Sequence, residues 1–185
     1  MNFLFDKQSH FNLANLATFL NIAAGVFAIY FLTHQAFFAA ALFAWIAGAF
    51  DIVDGKIARK YQLSTQFGIQ LDSYADFLSF VIVPVMFIFF AVIDTKELIL
   101  NTPFVIFVFV FYVIAGLRRL IQFNITSNEG EVGKYFTGIP TPLGAILLWV
   151  AYLLWLGGFI NEYAVLIIML VVGFLLNSKL KIPHL

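Results

Sequence analysis

The sequence predicts an all-α integral membrane protein with six spanning helices and both termini in the cytoplasm. Three observations lead there. The 185 residues are 63% apolar with a mean hydropathy of +0.98, whereas a soluble domain sits nearer half apolar. Six stretches approach the roughly 20 apolar residues that a helix needs to cross a bilayer. Of the 10 Lys and Arg residues, all but Lys96 fall on one side of the membrane if those six stretches are spans.

The first stretch, 13–32, follows Lys7. Ala23 and Ala24 resemble the small residues of a signal-peptide cleavage site, but the apolar run is longer than a signal core and reads as a mature span. The second stretch is 35–53 and the third 72–93, with Lys56, Arg59 and Lys60 between them. The fourth is 102–122, and Arg118, Arg119 and Lys134 lie around its connection to the fifth, 141–158. The sixth, 161–177, is followed by Lys179 and Lys181. Basic residues mark the cytoplasmic side, so this bias puts both termini there, as an even number of spans requires. Little sequence remains outside the spans, and one membrane domain, 1–185, is expected. The longest polar connection, Thr126 to Glu131, reads as a flexible loop on the same side. Tyr30 and Trp155, near span ends, fit an aromatic belt. Gly48 and Gly116 fit helix packing, and Lys60, Lys179 and Lys181 fit topology anchors.

Composition also excludes functions. Net charge is zero, so no basic patch for nucleic acid is expected. No cysteine occurs, which rules out disulfides and thiolate metal sites. His10, His34 and His184 are scattered near span ends and do not suggest a shared metal site.

Four aspartates break the apolar pattern between spans two and three: Asp51, Asp54, Asp72 and Asp76. Asp51 and Asp54 are three residues apart at the end of one span. Asp72 and Asp76 are four apart at the start of the next. Both spacings put side chains on one helical face, so two facing helices would bring four carboxylates together. Ionised side by side they repel, and divalent cations remove the conflict. Oxygen ligands without His or Cys favour Mg²⁺ or Mn²⁺ over Zn²⁺. Four carboxylates can hold two such ions, an arrangement suited to phosphoryl-type displacement. Arg59, a helical turn beyond Asp54, has a guanidinium suited to a phosphate. Gly55, Ala58 and Gly68 are small enough for a nucleotide or a neighbouring helix to approach the backbone. Asp76, the deepest of the four, suits a general base for an attacking hydroxyl. An ion or proton transporter using the aspartates as a relay would spread them along a path through the membrane. Here they cluster at one face, with only Asp94, Glu97 and Glu162 opposite.

Written out, the window is D-x-x-D-G-x-x-A-R-(x)8-G-x-x-x-D-x-x-x-D, carried by Asp51, Asp54, Gly55, Ala58, Arg59, Gly68, Asp72 and Asp76. It resembles the signature of the CDP-alcohol phosphotransferases, at all eight fixed positions. The resemblance implies a six-helix membrane fold, two divalent cations held by the four aspartates, and Asp76 as general base. It also implies that Asp51, Gly55, Ala58, Arg59, Gly68 and Asp72 hold the CDP moiety.

Two more stretches resemble the phosphatidylserine synthases of this superfamily. One is Asn15 to Gly25, with Thr18 and Asn21 inside it. The other is Gly116 to Asn124 followed by Phe136 to Pro142. Gln122 stands where that branch has the second arginine of R-L-x-R-F-N, and Ala14 where a proline often precedes the first-helix Asn. The resemblance implies CDP-diacylglycerol as donor and L-serine as acceptor, in contact with membrane lipids and with the active site facing the cytoplasm. Arg118, Arg119 or Lys134 would meet the acceptor carboxylate or a phosphate. Pro140 and Pro142 would restrict the chain entering span five. Other acceptors (glycerol-3-phosphate, inositol, inositol phosphate, choline) and an ether-lipid donor would leave the same central motif. By family analogy, a homodimer is expected.

Overall fold

The computed structural model describes residues 3–6, 9–94, 102–128, 135–178 and 181–183. Lys7, Lys96, Lys134, Lys179, His184 and loop residues 129–131 lie outside the described residues. Among the described residues, apart from a short 3₁₀ turn at Phe3–Phe5 and one small ribbon, the regular structure is helical: α1 (Leu13–Thr33), α2 (Phe37–Tyr61), α3 (Gln66–Ile93), α4 (Thr102–Asn128), α5 (Thr141–Leu156) and α6 (Glu162–Leu176). The ribbon pairs β1 (Tyr135–Thr137) antiparallel with β2 (Lys181–Pro183), with Phe136 opposite Ile182.

Four helices, α1 to α4, are long and apolar enough to cross a membrane. The last two are apolar but have 16 and 15 residues, or roughly 24 and 22 Å at 1.5 Å per residue. Large apolar side chains face outward on the long helices, among them Phe27, Phe38, Trp45, Phe107 and Ile114. Lipid accounts for such faces; water would not.

Helix ends are set by local chemistry. Asn12 caps α1, its side chain accepting from the Asn15 N–H at 2.9 Å. Gln62 ends α2 in the left-handed region, at φ 54°, and its N–H returns to the Ala58 carbonyl. Thr65 then caps α3, its Oγ1 accepting from the Gly68 N–H at 2.9 Å. These caps extend α2 and α3 past the ends predicted at 53 and 72. Hydropathy reports where the chain becomes polar, and the polar segment Lys56 to Tyr61 is nonetheless helical. Within α3 the backbone widens to π-helical turns at Phe77–Ile82 and Phe89–Ile93. Pro84 lies just beyond the first, and its ring would crowd the Phe80 carbonyl in an unbroken α-helix.

The chain forms two compact units, Met1–Ser79 and Phe80–Leu185. In the first, α1 and α2 present small buried residues to the interior: Ala17, Ala24 and Ala28 on one, Ala40, Ala44 and Ala47 on the other. Such surfaces let membrane helices approach closely where apolar burial gives little drive. The seam between α1 and α3 has a glycine on each side. A Cβ at Gly25 would sit 3.1 Å from Leu78, and one at Gly68 would sit 2.8 Å from Asn15 Oδ1.

The second unit packs Ile88, Val92, Ala151 and Val165 into a buried cluster, flanked by Phe109, Tyr152 and Trp155. Gly116 has the packing role expected of it, since a Cβ there would press to 2.6 Å of Val81. The segment entering α5 is tied down from both sides. The Ile139 N–H donates to the Leu175 carbonyl at 3.1 Å, and Arg119 Nε donates to the Ile139 carbonyl at 3.1 Å. Gly138 has φ +84° and lies directly against the Leu176 carbonyl. Pro140 is extended, and Pro142 falls in the first turn of α5.

Candidate active site

α2 and α3 form a hairpin across the short link 62–65. The left-handed Gln62 stops one helix and the Thr65 cap starts the next, so the aspartate-bearing faces run back alongside each other. Carboxylate oxygens of Asp51, Asp72 and Asp76 all lie within 4.8 Å of one another. Asp54, the fourth motif aspartate, is not one of these three. It is 3% exposed and lines an adjacent cleft.

The three carboxylates fit a hard divalent cation. Magnesium–oxygen bonds are about 2.0–2.1 Å long, so oxygens on opposite sides of one ion lie about 4.2 Å apart. The observed spread needs only small side-chain adjustments to reach that. Asp76 Oδ1 and Asp54 Oδ2 are also buried without a hydrogen-bond partner among the described residues. A buried acceptor left unpaired costs about 1–3 kcal/mol, and more if charged, a cost that a bound cation would offset. Other oxygen-liganded divalent ions would fit the same donor set.

The cleft has a volume of about 140 Å³ and is lined by α1, α2 and the start of α3. It brings together Asp54, Gly55, Ala58, Arg59, Gly68 and Asp72. Asp72 therefore belongs to both the carboxylate trio and the cleft wall. Arg59 is exposed, and its guanidinium folds back over Gly55, 3.4 Å from where a Cβ would stand. That leaves a cationic fork at the cleft wall, able to bind an anion bidentately. Gly68 has two duties: it admits Asn15 to the seam and it lines the cleft.

Sequence reasoning left α1 without a site role. The structure puts Asn15 and Thr18 in the cleft wall. They belong to a column of buried polar residues, Asn12, Asn15, Thr18 and Asn21. Three-residue spacing of polar side chains in an apolar helix was the available signal.

The cationic candidates of the second unit are arranged differently. Arg119 is buried and bonded to the Ile139 carbonyl. Arg118 is exposed and donates to Asn177 Oδ1 at 2.8 Å, while Asn177 Nδ2 donates to the Ala115 carbonyl. Lys134 lies outside the described residues.

Fold and site together define a helical membrane protein with an acidic centre suited to divalent cations, beside a cleft with an arginine in its wall. The chain belongs to the CDP-alcohol phosphatidyltransferase family, which matches residues 11–176. It is thus an enzyme of that class, a transferase of phospholipid biosynthesis. It is 32% identical over 184 residues to an archaetidylserine synthase of Methanothermobacter thermautotrophicus, covering 97% of this chain and 73% of that one. It is 31% identical over 163 residues to the CDP-diacylglycerol–serine O-phosphatidyltransferase of Saccharomyces cerevisiae, covering 80% of this chain and 56% of the yeast protein. The enzyme of the same name from Bacillus subtilis is 29% identical over 175 residues, covering 91% of this chain and 88% of its own.

Proposed function

We propose that this protein transfers the phosphatidyl group of CDP-diacylglycerol to the hydroxyl of L-serine, releasing CMP and forming phosphatidylserine. The observation that carries the reading is the convergence of Asp51, Asp72 and Asp76 beside a cleft containing the other motif residues. Similarity to serine-using relatives supports the acceptor.

Each residue then has a task. Two divalent cations, Mg²⁺ or Mn²⁺, held by Asp51, Asp54, Asp72 and Asp76, would neutralise charge on the phosphoryl oxygens. Gly55, Ala58 and Gly68, with Asp51 and Asp72 beside them, leave room for CDP to lie close to the backbone. Arg59 donates to a phosphate of the CDP group. Asp76 takes the proton of the serine hydroxyl as its oxygen bonds to the phosphorus bearing the lipid, and the bond to CMP breaks. Arg118, Arg119 and Lys134 are the cations proposed for the serine carboxylate or a phosphate. The acyl chains stay in the bilayer. In this reading 1–185 is a single catalytic domain with six spans, cytoplasmic termini and a cytoplasmic site, the short helices α5 and α6 included among the spans.

The similarity to an archaetidylserine synthase favours one variant reading, the same transfer to serine from an ether-lipid donor.

The experiment is CMP release by purified protein with CDP-diacylglycerol and Mn²⁺ or Mg²⁺, comparing serine, inositol and glycerol-3-phosphate. Release that requires both metal and serine is expected. Release with a different alcohol would discard serine and keep the chemistry.

A further inference from the structure

The α1 polar column does not end at the cleft. Asn15 and Thr18 line it, and Asn21 follows on the same face, roughly 4.5 Å further along the axis. Asn21 is 0% exposed, in a helix that is apolar apart from Asn15, Thr18, Tyr30 and Thr33. Ser79, on α3, is 4% exposed and donates its hydroxyl to Asn21 Oδ1 at 2.6 Å. The close approach depends on Gly25, where a Cβ would stand 3.2 Å from Ser79 Oγ. The bond fixes one end of the amide. The other end, Nδ2, is buried with no partner among the described residues.

Ser79 follows Asp76 by three residues, where α3 passes into the π-helical turn Phe77–Ile82, so the two stand within one turn of each other. Asp76 Oδ1 is likewise buried and unpartnered. An amide donor lacking an acceptor and a carboxylate oxygen lacking a donor thus flank the same serine. Helix packing alone calls for neither, since apolar side chains of similar volume would fill the space without leaving polar atoms unpaired. A hydroxyl has the complement of each atom: its oxygen accepts and its hydrogen donates.

We propose that Asn21, oriented by Ser79, binds the acceptor alcohol at the inner end of this column. Its Nδ2 donates to the acceptor's hydroxyl oxygen while that hydroxyl donates to Asp76. The inference rests on the transferase reading above and names a binding residue which that reading lacks. The chemical class it selects is a small alcohol, because Asn21 is fully buried and leaves no room for a bulky group. The step balances: the hydroxyl proton passes to Asp76, the oxygen bonds to phosphorus, and CMP departs with the electrons of the broken bond. Asn21 gives up no proton and serves to hold the oxygen in line.

The test uses the full chain in lipid nanodiscs, with Asn21→Leu and Ser79→Ala beside the parent. The Michaelis constants for acceptor and for CDP-diacylglycerol are measured separately. A second readout is the rise in melting temperature on adding L-serine in the presence of CDP and Mn²⁺. Loss of one hydrogen bond predicts an acceptor KM raised on the order of tenfold in Asn21→Leu. Ser79→Ala should raise it less. The donor KM should hold in both variants, and the serine-dependent thermal shift should vanish in Asn21→Leu. An acceptor KM within twofold of the parent in both variants would overturn the proposal, as would donor and acceptor constants moving together. If Asn21→Leu does not fold, Ser79→Ala decides by the same criteria. If the parent uses another alcohol, serine falls as acceptor and the variants are read with that alcohol. A folded parent that releases CMP with no alcohol overturns both readings.

Discussion

Gly68→Ala is the sharpest perturbation of the seam that forms the cleft. A Cβ there would stand 2.8 Å from Asn15 Oδ1 and 3.2 Å from Thr65 Oγ1. Neither neighbour yields freely. Thr65 Oγ1 is the cap of α3, and Asn15 Nδ2 is engaged by the His10 carbonyl at 3.1 Å. Overpacking of this kind costs about 1–3 kcal/mol. Alanine recovers at most about 0.8–1.0 kcal/mol over glycine, and less in the first turn of α3 where Gly68 lies, which leaves roughly 0–3 kcal/mol of net destabilisation. The effect on activity should be larger, because Gly68 and Asn15 both line the cleft. Displacing a binding wall by a fraction of an ångström to an ångström lowers kcat/KM by roughly ten- to a hundredfold.

Gly55→Ala is the control. Its Cβ would meet only the far end of Arg59, at 3.4 Å, so stability should be kept or slightly raised. The assay is CMP release against CDP-diacylglycerol concentration, with thermal unfolding of each variant in the same detergent. Gly68→Ala with kcat/KM within twofold of the parent would refute the claim that this contact is tight and shapes the cleft.

Other expectations follow from the same geometry. Asp76→Asn should abolish CMP release while the protein stays folded, as judged by circular dichroism and gel filtration; retained turnover would remove Asp76 as the base. Chelation with EDTA should stop release and added Mn²⁺ or Mg²⁺ should restore it, whereas activity surviving exhaustive chelation would contradict the metal role. Arg119→Ala removes a buried donor from the Ile139 carbonyl, and should cost about 1.5–3 kcal/mol, read as a lower unfolding temperature. Gly138→Ala should destabilise at least as much, since φ is +84° and the Leu176 carbonyl occupies the space a Cβ needs; a variant that melts with the parent would contradict the tie between this segment and α6.

Much of this arrangement was legible in the sequence, for physical reasons that differ from part to part. The apolar stretches located the six helices of the described residues, because long apolar runs leave a strong compositional mark. Their ends were harder. Lys56 to Tyr61 look like a loop by hydropathy, yet the left-handed Gln62 and the Thr65 cap keep the flanking segments helical. The aspartates were visible as carboxylates with no apolar explanation, and Asp51, Asp72 and Asp76 do converge. That Asp54 would turn to the cleft depends on rotation about α2, which spacing alone does not fix. Asn15, Thr18 and Asn21 resemble relatives in type and spacing but reveal no role in the sequence, since polar side chains in an apolar helix read equally as packing bonds. Arg118, Arg119 or Lys134 was expected to meet a ligand, and the bond from Arg119 to Ile139 is illegible in the sequence because it depends on a segment 20 residues away. The β1–β2 ribbon joins residues more than 40 positions apart and leaves no local pattern to read.

The central claim is that the acidic centre joins a phosphatidyl group to serine. Its most direct test is incorporation of radiolabelled L-serine into chloroform-extractable lipid by purified protein supplied with CDP-diacylglycerol and Mn²⁺. The account predicts labelled lipid in equal molar amount to released CMP, with none when metal is omitted and none in Asp76→Asn. Labelled lipid formed equally well by Asp76→Asn, or CMP released without lipid-bound serine, would contradict it.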